Sequence, residues 1–146
     1  MEIYFPECLE SKVWISENKI ELAKDSCGAG EFRGGLGLDL EFEMIEETFI
    51  TTVVERTKNP PWGIKDGKAG RANNVQVIKK NGDKFFMPKK SGYKLDKGDK
   101  IIFLTGGGGG YGNPEFRKIE KIEYDLKQEY LSKKYVEENF KHFKFN

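Results

Sequence analysis

Leu38-Asp39-Leu40-Glu41-Phe42-Glu43-Met44 alternates apolar and acidic residues without a break. A period of two places Leu38, Leu40, Phe42 and Met44 on one face of a strand and the acids on the other. Working outward, Thr48 to Val54 is β-branched and aromatic, which suits a second strand. Val75-Gln76-Val77-Ile78 and Lys84-Phe85-Phe86-Met87 flank Asn81-Gly82-Asp83, and Asn-Gly between such runs signals a hairpin. Lys100 to Leu104 follows a turn at Lys97-Gly98-Asp99 and reads as a largely buried strand. Val13 to Ile15 and Ile20 to Leu22 form shorter strand candidates around a turn at Glu17-Asn18. The fold expected from these runs is mainly β, a sandwich or distorted barrel, with one or two C-terminal helices.

The last third changes period. Pro114 cannot continue a central strand, and Phe116, Ile119, Ile122 and Leu126 then recur at helical spacings of three and four. Ser132 is placed to cap a second short helix through Tyr135, Val136 and Phe140. The tail Lys141 to Asn146 either frays or docks on a partner. No internal repeat and no flexible linker divides the chain, so residues 1–112 are read as a β-rich domain and 113–146 as its helical extension.

A chain of 146 residues is long enough to bury a core, and its aromatic content of 13%, including eleven Phe, supplies bulky material for one. Lysines and arginines nearly cancel the acids, leaving a formal charge of +1. That balance disfavours nucleic acid as a partner, because such binding rests on neutralising phosphates. The two cysteines, Cys8 and Cys27, form no Cys-x-x-Cys pair, and His142 is the single histidine. A structural zinc site needs about four ligands, so none is expected, and two free thiols are the simplest reading. Without a secretory or membrane-spanning apolar run, the chain reads as soluble and cytoplasmic, with no membrane partner.

Glycine gathers in three islands, at 28–37, 63–70 and 106–112. Glycine is unfavourable inside regular elements, so the islands mark irregular segments whose ordering needs a tight backbone environment or a partner. The third island lies between a strand and a helical pattern, the setting of a phosphate cradle. Yet it lacks the Gly-Lys-Ser/Thr ending of a P-loop. A close backbone crossing, or packing on another chain, is the stronger expectation. Pro60-Pro61-Trp62-Gly63 is rigid, and its Trp serves either as an anchor in the core or as an interface contact. Asp25, Glu31, Arg33 and Arg56 have the groups for acid–base or anion-binding chemistry, but salt bridges and turn bonds account for the same residues. Lys79-Lys80 and Lys89-Lys90 read as solvated lysines near turns, and Phe85 and Phe86 as hairpin core.

Taken together, the islands resemble one family. Asp25-Ser26-Cys27-Gly28-Ala29-Gly30-Glu31-Phe32-Arg33-Gly34-Gly35-Leu36-Gly37 is similar to the DSGGAGxxRGGLG signature of the hydantoinase B/oxoprolinase family. Pro60-Pro61-Trp62-Gly63 with Gly67-Lys68-Ala69-Gly70 resembles its PPWG…GGKPG stretch. Lys97-Gly98-Asp99, then Gly107 to Pro114, resembles its GD…GGGGYGDP ending, and Tyr130-Leu131-Ser132 the step into its final helix. Cys27 replaces a usual glycine, Ala69 a proline and Asn113 an aspartate, and Ile119 stands where a helix-starting proline is common.

The resemblance runs from about residue 20 to the end and corresponds to the C-terminal end of much longer members. Those members include subunits of ATP-dependent N-methylhydantoinase, 5-oxoprolinase, and acetone and acetophenone carboxylases. The resemblance implies hydantoinase A-type and B-type partner subunits, with ATP and a divalent metal held by the partners and no cofactor bound by this chain. No catalytic residue carries over, because the family's metal and substrate residues lie mainly upstream. The residues that do carry over are interface or loop-motif candidates: Asp25, Arg33, Gly34, Gly35, Pro61, Trp62, Gly63, Gly108, Gly109, Gly110, Tyr111 and Gly112. The chain is therefore expected to act in assembly and to border an active site, as a small subunit or split C-terminal piece of such a complex. The competing reading is a stand-alone β-rich module that binds a phosphorylated small molecule at Gly106–Gly112.

Overall fold

The structure is a computed structural model that describes residues 14–145. Cys8 and Val13 lie outside the described residues. The residues group into two compact units that interleave along the chain. The first comprises residues up to Glu21, Asp39–Glu55 and Asn74–Leu104; the second comprises Leu22–Leu38, Arg56–Asn73 and everything from Thr105 on.

Among the described residues, seven strands form two sheets: β1 (Ile15–Leu22), β2 (Leu38–Met44), β3 (Thr48–Val53), β4 (Asn74–Ile78), β5 (Lys84–Phe86), β6 (Lys89–Leu95) and β7 (Lys100–Leu104). The larger sheet has the order β1-β2-β7-β4-β5, and β3 pairs with β6 in the smaller. The expected fold, mainly β as a sandwich or distorted barrel with C-terminal helices, is what forms, in antiparallel sheets. Between the sheets, Met44, Val75, Val77, Met87, Leu95 and Ile101 are buried, with Phe42, Ile50, Phe85 and Phe103 packed against them. The alternation in β2 reaches the core in the C-terminal half of the strand, while Leu38 at its start is 38% exposed. Phe42 and Met44 face this core, while Glu41 on the opposite face accepts a 2.8 Å bond from Lys100 Nζ of β7. The Asn-Gly hairpin joins β4 to β5, with Gly82 at φ 93°.

Two strands differ from expectation. β1 runs unbroken from Ile15 to Leu22, with no turn at Glu17-Asn18. Asn18 has no glycine beside it to take a left-handed turn position. Its Nδ2 instead reaches across to Glu43 of β2 at 3.3 Å, holding the segment along the sheet edge. β6 was hidden because Lys89-Lys90-Ser91-Gly92 breaks the alternation. The register with β3 shifts between Ile50 and Thr52, where Ser91 and Gly92 lie opposite Thr51 alone. This is a β-bulge, and Gly92 supplies its left-handed φ of 58°.

The turn Lys97-Gly98-Asp99 is tied to the β4–β5 hairpin by Asp99, which is 1% exposed. Its carboxylate accepts the amides of Asp96 at 2.8 Å and Lys80 at 2.9 Å, and the Lys79 ammonium. Lys79 is thus an ion-pair partner, not a freely solvated lysine. Burial alone raises the Asp99 pKa, but Lys79 and the two amides outweigh it and hold the carboxyl below the ordinary aspartate value.

In the second unit, a short 3-10 turn at Pro114–Phe116 leads to α1 (Ile119–Lys127) and α2 (Lys133–Asn139). Ser132 caps α2 as expected, its Oγ accepting the Tyr135 amide at 3.0 Å. Ile122, Leu131, Val136 and Phe140 of this region bury Cys27 and Ala29. The N-terminal half of the expected stripe does not join them. The helix starts only at Ile119, so Phe116 lies before it and is 70% exposed. The tail folds back on its own unit: Phe143 packs on this core, and a His142 ring nitrogen, Nε2, lies 2.8 Å from the Arg117 carbonyl.

The lowered Asp99 pKa gives stability that is complete above the unfolded aspartate value near pH 4 and is lost as pH falls through the folded value. Asp99→Ala is expected to destabilise the protein by about 3 kcal/mol at pH 7, by leaving Lys79 and two amides without their acceptor. The gap between wild type and variant should narrow below about pH 3. Urea unfolding at both pH values checks this.

Candidate functional site

The three glycine islands meet within the second unit, and the mode of contact explains why they are glycine. A Cβ placed on Gly67 or Gly70 would strike the carbonyls of Gly110 or Gly107. A Cβ on Gly107 or Gly110 would strike those of Ser26 or Ala29, and one on Gly34 or Gly37 those of Gly108 or Thr105. In each pair both members are spaced by three. That is the repeat of an extended three-fold helix, in which glycine is needed wherever a residue turns toward a neighbouring chain. Segment 26–29 runs in the same sense as 107–110, while 67–70 and 34–37 run in the opposite sense. Gly109 is closed off on a further side by the Trp62 carbonyl, and Gly63 by that of Gly67.

Hydrogen bonds cross between the segments as well. Gly28 N donates to Gly108 O at 2.8 Å, Gly108 N to Gly35 O at 2.9 Å, Gly110 N to Lys68 O at 2.9 Å and Lys68 N to Ala29 O at 2.7 Å. Phe32 and Tyr111 exchange both of their backbone bonds, and Gly112 N donates to Ile64 O. The close backbone crossing expected of the 106–112 loop is observed. The amides of Gly106, Gly108, Gly110, Tyr111 and Gly112 are all donated to protein acceptors, which counts against an anion cradle there. Gly35 stands apart, with nothing within 4 Å of a Cβ built on it.

Asp25, just before the first island, and Arg33, within it, bind the helical region. Asp25, at φ 61°, places its carboxylate on the Ser132 amide at 2.6 Å, and its own amide donates to Tyr130 O at 3.0 Å. Arg33 Nε donates to Asp125 Oδ2 at 3.0 Å, and its guanidinium lies over the Tyr130 ring. Asp125 Oδ2 also accepts from Arg117 Nη2 at 2.6 Å, and Arg117 Nη1 donates to Glu31 O at 3.2 Å. One carboxylate, 2% exposed, thus joins two guanidiniums. Asp125 and Arg117 were not singled out from the sequence. Asp125 sits three residues after buried Ile122, an acid on an otherwise apolar helix face, and that placement was the available signal. Beside the cluster, Tyr135 Oη donates to Cys27 O at 2.6 Å, and burial pushes this phenol far above its ordinary pKa. Cys27 is a free, buried thiol whose pKa burial likewise raises.

Pro61 and Trp62 act through their backbone. Pro61 O accepts the Gly70 amide at 2.9 Å. The Trp62 ring is not an anchor in the core: it is 67% exposed, with the Arg56 guanidinium 5.1 Å from its centre. Its carbonyl lies against Gly109, so the rigid Pro-Pro-Trp backbone supplies the contact and leaves the ring outside.

An open groove of about 580 Å³ runs beside the Arg33–Asp125–Arg117 cluster, lined also by Phe32, Phe116, Lys118, Lys121 and Tyr124. Guanidiniums and ammoniums beside exposed rings suit recognition of carboxylates and apolar groups, and arginine does not exchange protons at neutral pH.

Two substitution sets probe this packing. Gly109→Ala should cost about 3 kcal/mol or prevent folding, because two backbones must separate, whereas Gly35→Ala should change stability by less than about 0.5 kcal/mol. Asp125→Ala should cost about 3 kcal/mol by leaving the buried Arg117 and the part-buried Arg33 guanidiniums without their shared acceptor. Chemical denaturation of each variant tests both expectations.

The family model described as hydantoinase B/oxoprolinase matches residues 1–114, starting upstream of where the motif resemblance begins. A protein of Methanocaldococcus jannaschii is 36% identical over 135 residues, which cover 92% of this chain and 24% of that protein. The caprolactamase subunit beta of Pseudomonas jessenii is 29% identical over 86% of this chain and 22% of its own length. Among solved structures, the ATP-dependent caprolactamase of Pseudomonas jessenii superposes with a TM-score of 0.78 at 23% identity, over 90% of this chain and 24% of that one. An acetone carboxylase superposes with a TM-score of 0.73 at 16% identity, over 95% and 23%. The chain therefore spans about a quarter of the length of these relatives, and by the family match over most of its residues it belongs to the hydantoinase B/oxoprolinase family.

Proposed function

We propose that the chain is the C-terminal structural piece of a B-type subunit, completing a cytoplasmic assembly that uses ATP to activate a cyclic amide, a urea-like carbonyl or a ketone for hydrolysis or carboxylation. One observation carries this reading. Asp25 and Arg33, the ionisable residues of the family signature, are both engaged in bonds that hold the glycine segments to the chain's own helical region. The signature in this chain is architecture. The relatives' lengths support the same reading, since the matched region makes up 22–24% of the Methanocaldococcus protein and the caprolactamase subunit. On this account, the ATP and divalent-metal sites belong to A-type and upstream B-type polypeptides, and this chain borders the active site they form.

The test is to co-express the chain with hydantoinase A-type and B-type polypeptides of the same organism. A stable complex is expected, whose ATP-dependent turnover of ring amides or ketones falls at least about tenfold, or ~1.4 kcal/mol, when this chain is omitted. Turnover by the purified chain alone, or a chain that ignores those polypeptides, contradicts the proposal.

A further inference from the structure

Folding leaves exposed rings beside the partly buried Arg33–Asp125–Arg117 cluster. Phe116 is 70% exposed and Phe32 62%, and both line the 580 Å³ groove together with Tyr124, itself more than half exposed. The apolar surface continues past the groove. The Phe32 ring lies 6.3 Å from that of Tyr111, whose backbone is bridged to that of exposed Ile64 and whose ring has the Lys65 ammonium 5.3 Å from its centre. Contiguous exposed apolar surface of this kind marks interaction sites in soluble proteins. Clustered aromatics and arginine are also the residue types that dominate binding energy at interfaces.

The charge of the groove narrows the choice of occupant. Arg33, Arg117, Lys118 and Lys121 line it against Glu31 and Asp125 alone, four cations to two anions. Arg33 and Arg117 are fixed by their shared bond to Asp125, so their positions are set before anything binds. Such preorganisation lowers the entropy lost on binding. The groove therefore suits a polypeptide segment that presents an apolar side chain next to a carboxylate.

We infer that the groove and its Phe32–Tyr111–Ile64 extension are the docking surface for the upstream three quarters of a B-type polypeptide. Two facts favour this occupant. The matched region is 24% of the Methanocaldococcus protein and 22% of the caprolactamase subunit. The same fold makes up 24% and 23% of the caprolactamase and acetone carboxylase chains, where it is continuous with the rest. The inference rests on the assembly-piece reading and adds to it the surface that is used.

The test measures affinity between the full chain and a B-type polypeptide of the same organism, by calorimetry on separately purified components. Phe116→Asp and Tyr124→Ser, both at exposed positions, are compared with Phe49→Asp, an exposed position on β3 of the other unit. Each variant is first shown to melt as the wild type does. The expected result is that Phe116→Asp weakens binding by about a hundredfold and Tyr124→Ser by about tenfold, while Phe49→Asp leaves it unchanged. A wild-type complex that tolerates Phe116→Asp and Tyr124→Ser overturns the surface and leaves the assembly reading standing. Absence of a wild-type complex overturns both. A self-associating chain that becomes monomeric with Phe116→Asp makes a second copy the occupant and likewise overturns the inference.

Discussion

Backbone against backbone, with no side chain between, is the contact on which the second unit depends. Four extended segments approach so closely that carbonyl oxygens occupy the space a Cβ would need, at Gly28, Gly34, Gly67, Gly107, Gly109 and Gly110 among others. Glycine loses more conformational freedom on folding than any other residue. Such a bundle buries few apolar side chains of its own, chiefly Cys27 and Ala29, so the hydrophobic effect contributes little to the contacts between segments. What offsets the entropy is the dense set of amide–carbonyl bonds between segments and the neighbouring core of Cys27, Ala29, Ile122, Leu131, Val136 and Phe140. Asp25 and Arg33 connect the two parts: one stands immediately before a glycine segment and the other within one, and both end on the helical region.

This arrangement explains why the glycine islands cannot be read as three separate loops. Each supplies one wall of the others' environment. The run at 106–112 is ordered by residues 26–37 and 61–70 of the same chain, so its amides are largely engaged and an anion-binding role has little left to use. The same logic gives Pro60-Pro61-Trp62 its place. A stiff backbone holds the Trp62 carbonyl against Gly109 without help from the ring.

Much of the fold was legible in the sequence where one period or one turn residue dominates. The strand over Leu38 to Met44, the Asn81-Gly82 hairpin and the Ser132 cap all correspond to single local signals, and all formed as expected. The misreadings arose where long-range contacts decide. β1 reads as two short pieces until Asn18 is seen to reach the acids of β2. β6 is invisible without the bulge that accommodates Ser91 and Gly92. Phe116 carries the helical spacing but precedes the helix. The candidate site was half legible: motif order located the glycine segments, Asp25 and Arg33, while Asp125 and Arg117 emerge only when the helix is folded against residue 33. No spacing rule links positions 33, 117 and 125, because their common point is a single buried oxygen atom.

The central claim, that the glycine segments order one another within this chain, is tested most directly by native-state hydrogen exchange on the isolated protein. The amides of Gly28, Gly108, Gly110 and Tyr111 should exchange as slowly as those of the buried helical core around Val136, because they open only when the unit unfolds. Exchange of these amides at free-chain rates, with the core still protected and slowing only after partner polypeptides are added, would contradict the account.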